Sequence, residues 1–203
     1  MIDVDAVVQL HREMVVRWHG QEVDNPYEGF LSLVCRQCSF NYLLWHEDDI
    51  ARSPDVSDAE IARVKRSIDR YNQQRNDAIE QLDDWISAKL EEQSIAAAPD
   101  ARLNSETAGS VIDRLSILAL RIYHLEEQVR RTDATPQHIE SVERKLAIAL
   151  AQHDDLSQSL RELVEDIFAG RKRHKTYRQM KMYNDPTLNP YLYRAKAQSG
   201  RVG

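Results

Sequence analysis

The chain has 203 residues, 42% of them apolar and 30% charged, with only six Gly and six Pro, a balance that suits one soluble helical domain rather than two. Two cysteines exclude a disulfide framework. No charged-then-apolar leader opens the chain and no apolar run approaches 18 residues, so neither export nor membrane insertion is expected, and the expected location is cytoplasmic. The net charge of −6 is unevenly placed: residues 171–203 hold nine Lys or Arg against one acid, Asp185, a net of +8, and the other 170 residues carry −14. Such asymmetry marks either an anion-binding tail or a tail that folds back onto its own acidic body. The overall acidity argues against nucleic acid as a partner.

Residues 3–18 place apolar side chains at helical spacing. In "DNPYE", Asn25 as cap, Pro26 at the first helical position and Glu28 closing a capping box predict a helix over 26–52, which stops before Pro54. Ser57 and Glu60 in "SDAE" open a second long helix over 58–92. After the loop "AAAPDARLNSETAG", a third helix starts at Thr107 or Ser110 and runs to about 132. Thr135 and Pro136 begin a fourth, and Gly170 is a suitable stop for it. The tail reads as a short helix over 173–183 followed by turns at "NDP" and "NP". Short links between consecutive helices force antiparallel neighbours. The expected fold is all-α: a long antiparallel four-helix bundle with an extra N-terminal helix over 1–170. The basic, aromatic tail over 171–203 packs on it through Tyr183, Tyr191 and Tyr193.

A bundle core should be apolar, so polar residues on the buried stripes carry the information. Gln37, Asn41 and Asp48 interrupt the stripe of the 26–52 helix, Asn72 and Arg75 that of the 58–92 helix, and His153 that of the fourth. A buried polar group without a partner costs roughly 2–7 kcal/mol on transfer scales. These groups must therefore satisfy one another or a ligand. Counted inward from the turns at about 1.5 Å per residue, the polar residues of different helices fall in one half of the bundle.

One chemistry such a cluster supports is recognition of an anion or a polar small molecule. Arg52, Lys65, Arg75 and Arg114 would hold a phosphate or carboxylate. Asn41, Asn72, Asn76 and Asp113 would add polar contacts, and "KMYND", with Lys181, Tyr183, Asn184 and Asp185, could close one mouth of the pocket. His46, Asp48 and Asp69 are the candidates for acid–base catalysis. A second chemistry is a metal site using His46 with Glu47 or Asp48, and His124 with Glu127. However, "HLEE" reverses the Glu-x-x-His order of carboxylate-bridged bundles and has no second copy, and the thiols of "CRQC" (Cys35 and Cys38) lack another pair to complete four ligands. No phosphate-cradling glycine loop, dinucleotide fingerprint or nucleophile elbow appears, and the cofactor stays open. The alternative is a non-enzymatic interaction protein, with a protein partner or a second copy of itself, whose polar network only sets helix register.

Several strings taken together, "NYLLWHEDDIAR", "IDRYNQQRNDAIE", "LNSETAGSVIDRLSILALRIYHLEEQ", "HDDL" and "YRQMKMYNDPTLNPYLY", resemble the bacterial family catalogued as domain of unknown function 4254. The resemblance covers residues 11 to 193. It implies a standalone bacterial protein of this size, associated with surface-polysaccharide or lipopolysaccharide glycosyltransferase functions, and it implies no activity, cofactor or catalytic residue. Matching positions include Asn41, His46, Asp48, Arg52, Asp69, Asn72, Arg75, Asp113, Arg114 and His124. The chain departs from the family pattern at Ala108, where Pro is usual, and near Cys38, where the family has a His. A metal site using that His would be absent here. The expected function is binding, with or without processing, of a phosphorylated or nucleotide-sugar-like molecule between the helices.

Overall fold

In a computed structural model of the chain, which describes residues 2–179, 182 and 185–199, with side chains as far as 194, the protein is mostly helical. The first helix, α1 (Val4–Trp18), is capped by Asp3, whose carboxylate accepts from the Ala6 amide at 3.0 Å. It is an integral part of the core: Val7, Leu10, Met14 and Trp18 are buried, and α1 packs on three other helices described below.

The second helix, α2 (Gly29–Arg52), begins later than the capping-box reading expects. Asn25 does not cap it. Its Oδ1 accepts from the Tyr27 amide at 3.3 Å, a local turn that competes with helix, and its Nδ2 donates to the Ser32 carbonyl at 3.0 Å. The preceding segment is pinned instead by Asp24, which pairs with Arg17, and by the Trp18 indole, which donates to the Asp24 carbonyl. The third helix, α3 (Asp58–Glu92), is capped by Ser57 as expected.

The loop after α3 contains a short strand, β1 (Arg102–Leu103). Thr107 then caps α4 (Ala108–Val129), and Thr135 with Pro136 starts α5 (Pro136–Phe168). Gly170, at φ +71°, ends α5; a Cβ there would lie 2.8 Å from the Ala96 carbonyl oxygen. The closest-packed helix pairs are α2 with α3 and α4 with α5, while α1 contacts α4, α2 and α5.

The tail departs from expectation. Residues 174–179 are not helical. Lys172–Arg173 forms β2, paired in parallel with β1, and the chain then runs along α3. The His174 ring bonds the Asp83 carbonyl at 3.0 Å, Arg178 pairs with Glu80 and Asp84, and the Gln179 amide donates to Glu80. A helix would break these contacts, so the strap wins over local propensity. "NP" proves to be a helix start rather than a turn: the Asn189 Oδ1 accepts from the Tyr191 amide, and α6 (Pro190–Ser199) follows. Tyr191 and Tyr193 are exposed, Tyr191 at 87%. Tyr183 lies outside the described residues. Among the described residues, no helix is long and apolar enough to cross a membrane.

Candidate functional site

Asp113, on α4, is buried beneath α2 and α3. Its Oδ1 accepts from Gln37 Nε2 at 2.6 Å, Asn41 Nδ2 at 2.9 Å and Arg75 Nε at 2.7 Å, and its Oδ2 pairs with the other prong of the Arg75 guanidinium. Asn41 also donates to Ser116, whose hydroxyl donates to the Asp113 carbonyl. A buried carboxylate is tolerated only with such pairing. The same bond holds the Arg75 pKa above its ordinary value, against the burial that would lower it.

Above this network a pocket of about 190 Å³ opens between α2, α3 and α4. Asn41, Trp45 and Asp48 line it from α2, Asn72 and Arg75 from α3, and Ile117 and Leu120 from α4. Four of the sequence-derived candidates, Asn41, Asp48, Asn72 and Arg75, thus share one cavity, with Asp113 bonded to two of them.

The other cations do not join it. Arg52 is exposed and lies 3.9 Å from Asp48, Lys65 pairs with Asp69 on the exposed face of α3, and Arg114 pairs with Glu106 at 3.0 Å. Arg114 lines a different groove, of about 540 Å³, between α4 and α5. Asp69 is exposed and Asn76 half-buried, and neither lines the pocket. Lys181, Tyr183 and Asn184 lie outside the described residues, and Asp185 folds onto its own turn, accepting from Thr187. Cys35 and Cys38 are free and buried; burial pushes the Cys35 thiol up to about 12 and the Cys38 thiol up as well, so both are poor nucleophiles.

A second cluster forms where α1, α2 and α4 meet. His19 caps the C-terminus of α1, and its ring packs with those of His46 and His124, their centroids 5.1 Å from its own. One ring nitrogen from each lies within 4.8 Å of the others. His19 Nδ1 bonds the Val15 carbonyl at 2.7 Å, and His124 Nδ1 bonds Glu127 Oε2 at 2.9 Å. Nε2 of all three is buried without a partner. Burial, then the neighbouring His19 and His124, lowers the pKa of His46. Three imidazole nitrogens are a donor set suited to a transition metal.

Of the sequence-derived metal candidates, His46 and His124 therefore meet. Glu127 stands behind the His124 ring rather than beside the free nitrogens, and Glu47 faces Arg63 at 3.9 Å. His19 was not legible from spacing, because it sits 27 positions from His46 at a helix end. A different signal was present: Trp18-His19, Trp45-His46 and Tyr123-His124 each put an aromatic directly before the histidine, and no other histidine here has one. Tyr123 stacks on His19 at 4.0 Å, and Trp45 stacks on His124 at 4.8 Å.

The model of a protein family described as "Protein of unknown function (DUF4254)" matches residues 31–176. No curated protein and no solved structure matches the chain. The matched span takes in the pocket between α2, α3 and α4 together with His46 and His124, while α1 and His19 precede it. With well over half its length matched, the chain belongs to the DUF4254 family.

Proposed function

We propose that the protein binds a small polyhydroxylated molecule, a sugar or sugar phosphate, in the pocket between α2, α3 and α4. We take the four long helices as an antiparallel bundle with this pocket in its interior. One observation carries the reading: polar side chains from two helices and an indole wall converge on one cavity whose floor is already hydrogen-bonded. Amides and a carboxylate recognise hydroxyl groups, while Trp45 offers an apolar face to a ring. Arg75 spends two nitrogens on Asp113 and turns its remaining N–H groups to a ligand oxygen. Size decides between ligands. Drug-sized molecules occupy sites of roughly 300–1,000 Å³, so 190 Å³ admits a single sugar ring or its phosphate rather than a whole nucleotide sugar. Surface-glycan metabolism, the setting that the resemblance implies, uses such units. Asp48, which lines the pocket, stays as the acid–base candidate; His46 does not line it.

Thermal shift with monosaccharides and their phosphates tests this. A ligand at 100 times its Kd stabilises the fold by about 2.7 kcal/mol, and Asp48→Ala should remove that gain while leaving the unliganded midpoint in place. Absence of any shift at millimolar ligand would sink the proposal. One observation favours the interaction-protein alternative: Leu188, Tyr191 and Leu192 are exposed at the start of α6. Loss of a specific partner on truncation before residue 185, with no sugar response in the full chain, would select it.

A further inference from the structure

We propose that His19, His46 and His124 bind one divalent transition-metal ion of the zinc and cobalt class through their Nε2 atoms. The inference does not rest on the sugar pocket. Its starting point is the far side of each ring. The Val15 carbonyl and the Glu127 carboxylate accept from Nδ1 of His19 and His124, which fixes the tautomer that leaves Nε2 a bare lone pair. Asp49 Oδ2 lies 3.9 Å from His46 Nδ1, on the same side of that ring but beyond hydrogen-bond distance. Nε2 of all three rings is buried without a hydrogen-bond partner. Lone pairs so placed repel one another unless a cation lies between them.

The distances suit that cation. Ligand nitrogens about 2.0–2.1 Å from a tetrahedral zinc lie roughly 3.3 Å apart. One ring nitrogen from each histidine lies within 4.8 Å of the others, so small ring movements close the site. The rings are already clamped by aromatic neighbours. The C-terminal carbonyls of α1, which end at His19, add negative potential. Donors that are all imidazole select zinc, cobalt, nickel or copper and reject magnesium and calcium. Three protein ligands leave a tetrahedral ion one position for water or a substrate, the count found in catalytic zinc sites.

The test uses the full chain, purified without a histidine tag and stripped with a chelator. It is titrated with Co²⁺ and, separately, Mg²⁺, by calorimetry and visible absorption near pH 7.5. The expected result is saturation at one Co²⁺ per chain, with visible bands that Zn²⁺ displaces, and no response to Mg²⁺. His46→Ala and His124→Ala should abolish saturation, Glu127→Gln should weaken it about 10- to 100-fold, and the exposed His138→Ala should leave it unchanged. No saturable Co²⁺ or Zn²⁺ binding in the wild type, equal binding of Mg²⁺, or undiminished binding in a folded His46→Ala chain would overturn the proposal. Should both alanine variants fail to fold, Glu127→Gln decides alone, since unchanged affinity there also overturns it.

Discussion

Asp113 is buried, and Arg75, which answers its charge, is 26% exposed at the side chain. Removing one partner of such a pair strands the other. We expect Arg75→Ala to cost about 3 kcal/mol in urea unfolding, and Asp113→Asn made on that background to recover part of the loss. An additive double variant would show the pair to be uncoupled. His11 presents the opposite case. It is fully buried, neither ring nitrogen has a partner, and burial first, then His153, pulls its pKa down to about 3. The unfolded chain has the ordinary value of about 6.5, so unfolding takes up a proton once the pH falls below it. Stability from this residue is therefore complete above pH 6.5 and drains as pH falls toward 3, by on the order of 5 kcal/mol in all. Urea midpoints at pH 7 and pH 4.5 should converge in His11→Leu relative to wild type, and an unchanged gap would refute the assignment. At this scale Asn41, Asp48, Asn72 and Arg75 were legible because polar residues on an apolar stripe must find partners. Arg52, Lys65 and Arg114 were not. One residue of helix turns a side chain by 100°, so depth along the helix says nothing about which groove it enters.

Helix boundaries followed their caps. Ser57, Thr107 and Thr135 each accept the expected amide, and Thr107→Ala should cost about 1 kcal/mol. The contact between α3 and α4 depends on Gly109. A Cβ there would come within 2.8 Å of the Ile79 carbonyl oxygen and 2.9 Å of Asp83 Oδ1, which accepts from the Gly109 amide. Gly109→Ala forces the helices apart at a backbone atom and should lower stability by about 1–3 kcal/mol. A midpoint equal to wild type would mean that the two helices part easily. The start of α2 at Gly29 departs from the capping-box expectation for a local reason. Asn25 and Pro26 have the chemistry of a cap, but an Asn side chain can close a turn on the residue two ahead just as well. Only the anchoring of Asp24 by Arg17 and Trp18 decides between the two.

The charge asymmetry of the whole chain has a visible use: Arg178 of the tail pairs with Glu80 and Asp84 on the acidic face of α3. These pairs are solvent-exposed and therefore screened by salt. Limited proteolysis between residues 172 and 179 should speed up at 1 M salt while the thermal midpoint of the body stays put, and equal cutting at both salt levels would show the strap to be held by other contacts. By itself the sequence determined the helical class, most helix ends and four residues of one pocket, because periodicity and caps are local consequences of backbone geometry. Only the tertiary structure decided that α1 belongs in the core, that the tail runs as a strap, and that three histidines spread over more than a hundred positions share one point. Those outcomes depend on which helix faces which, a relation between distant segments that no local spacing encodes.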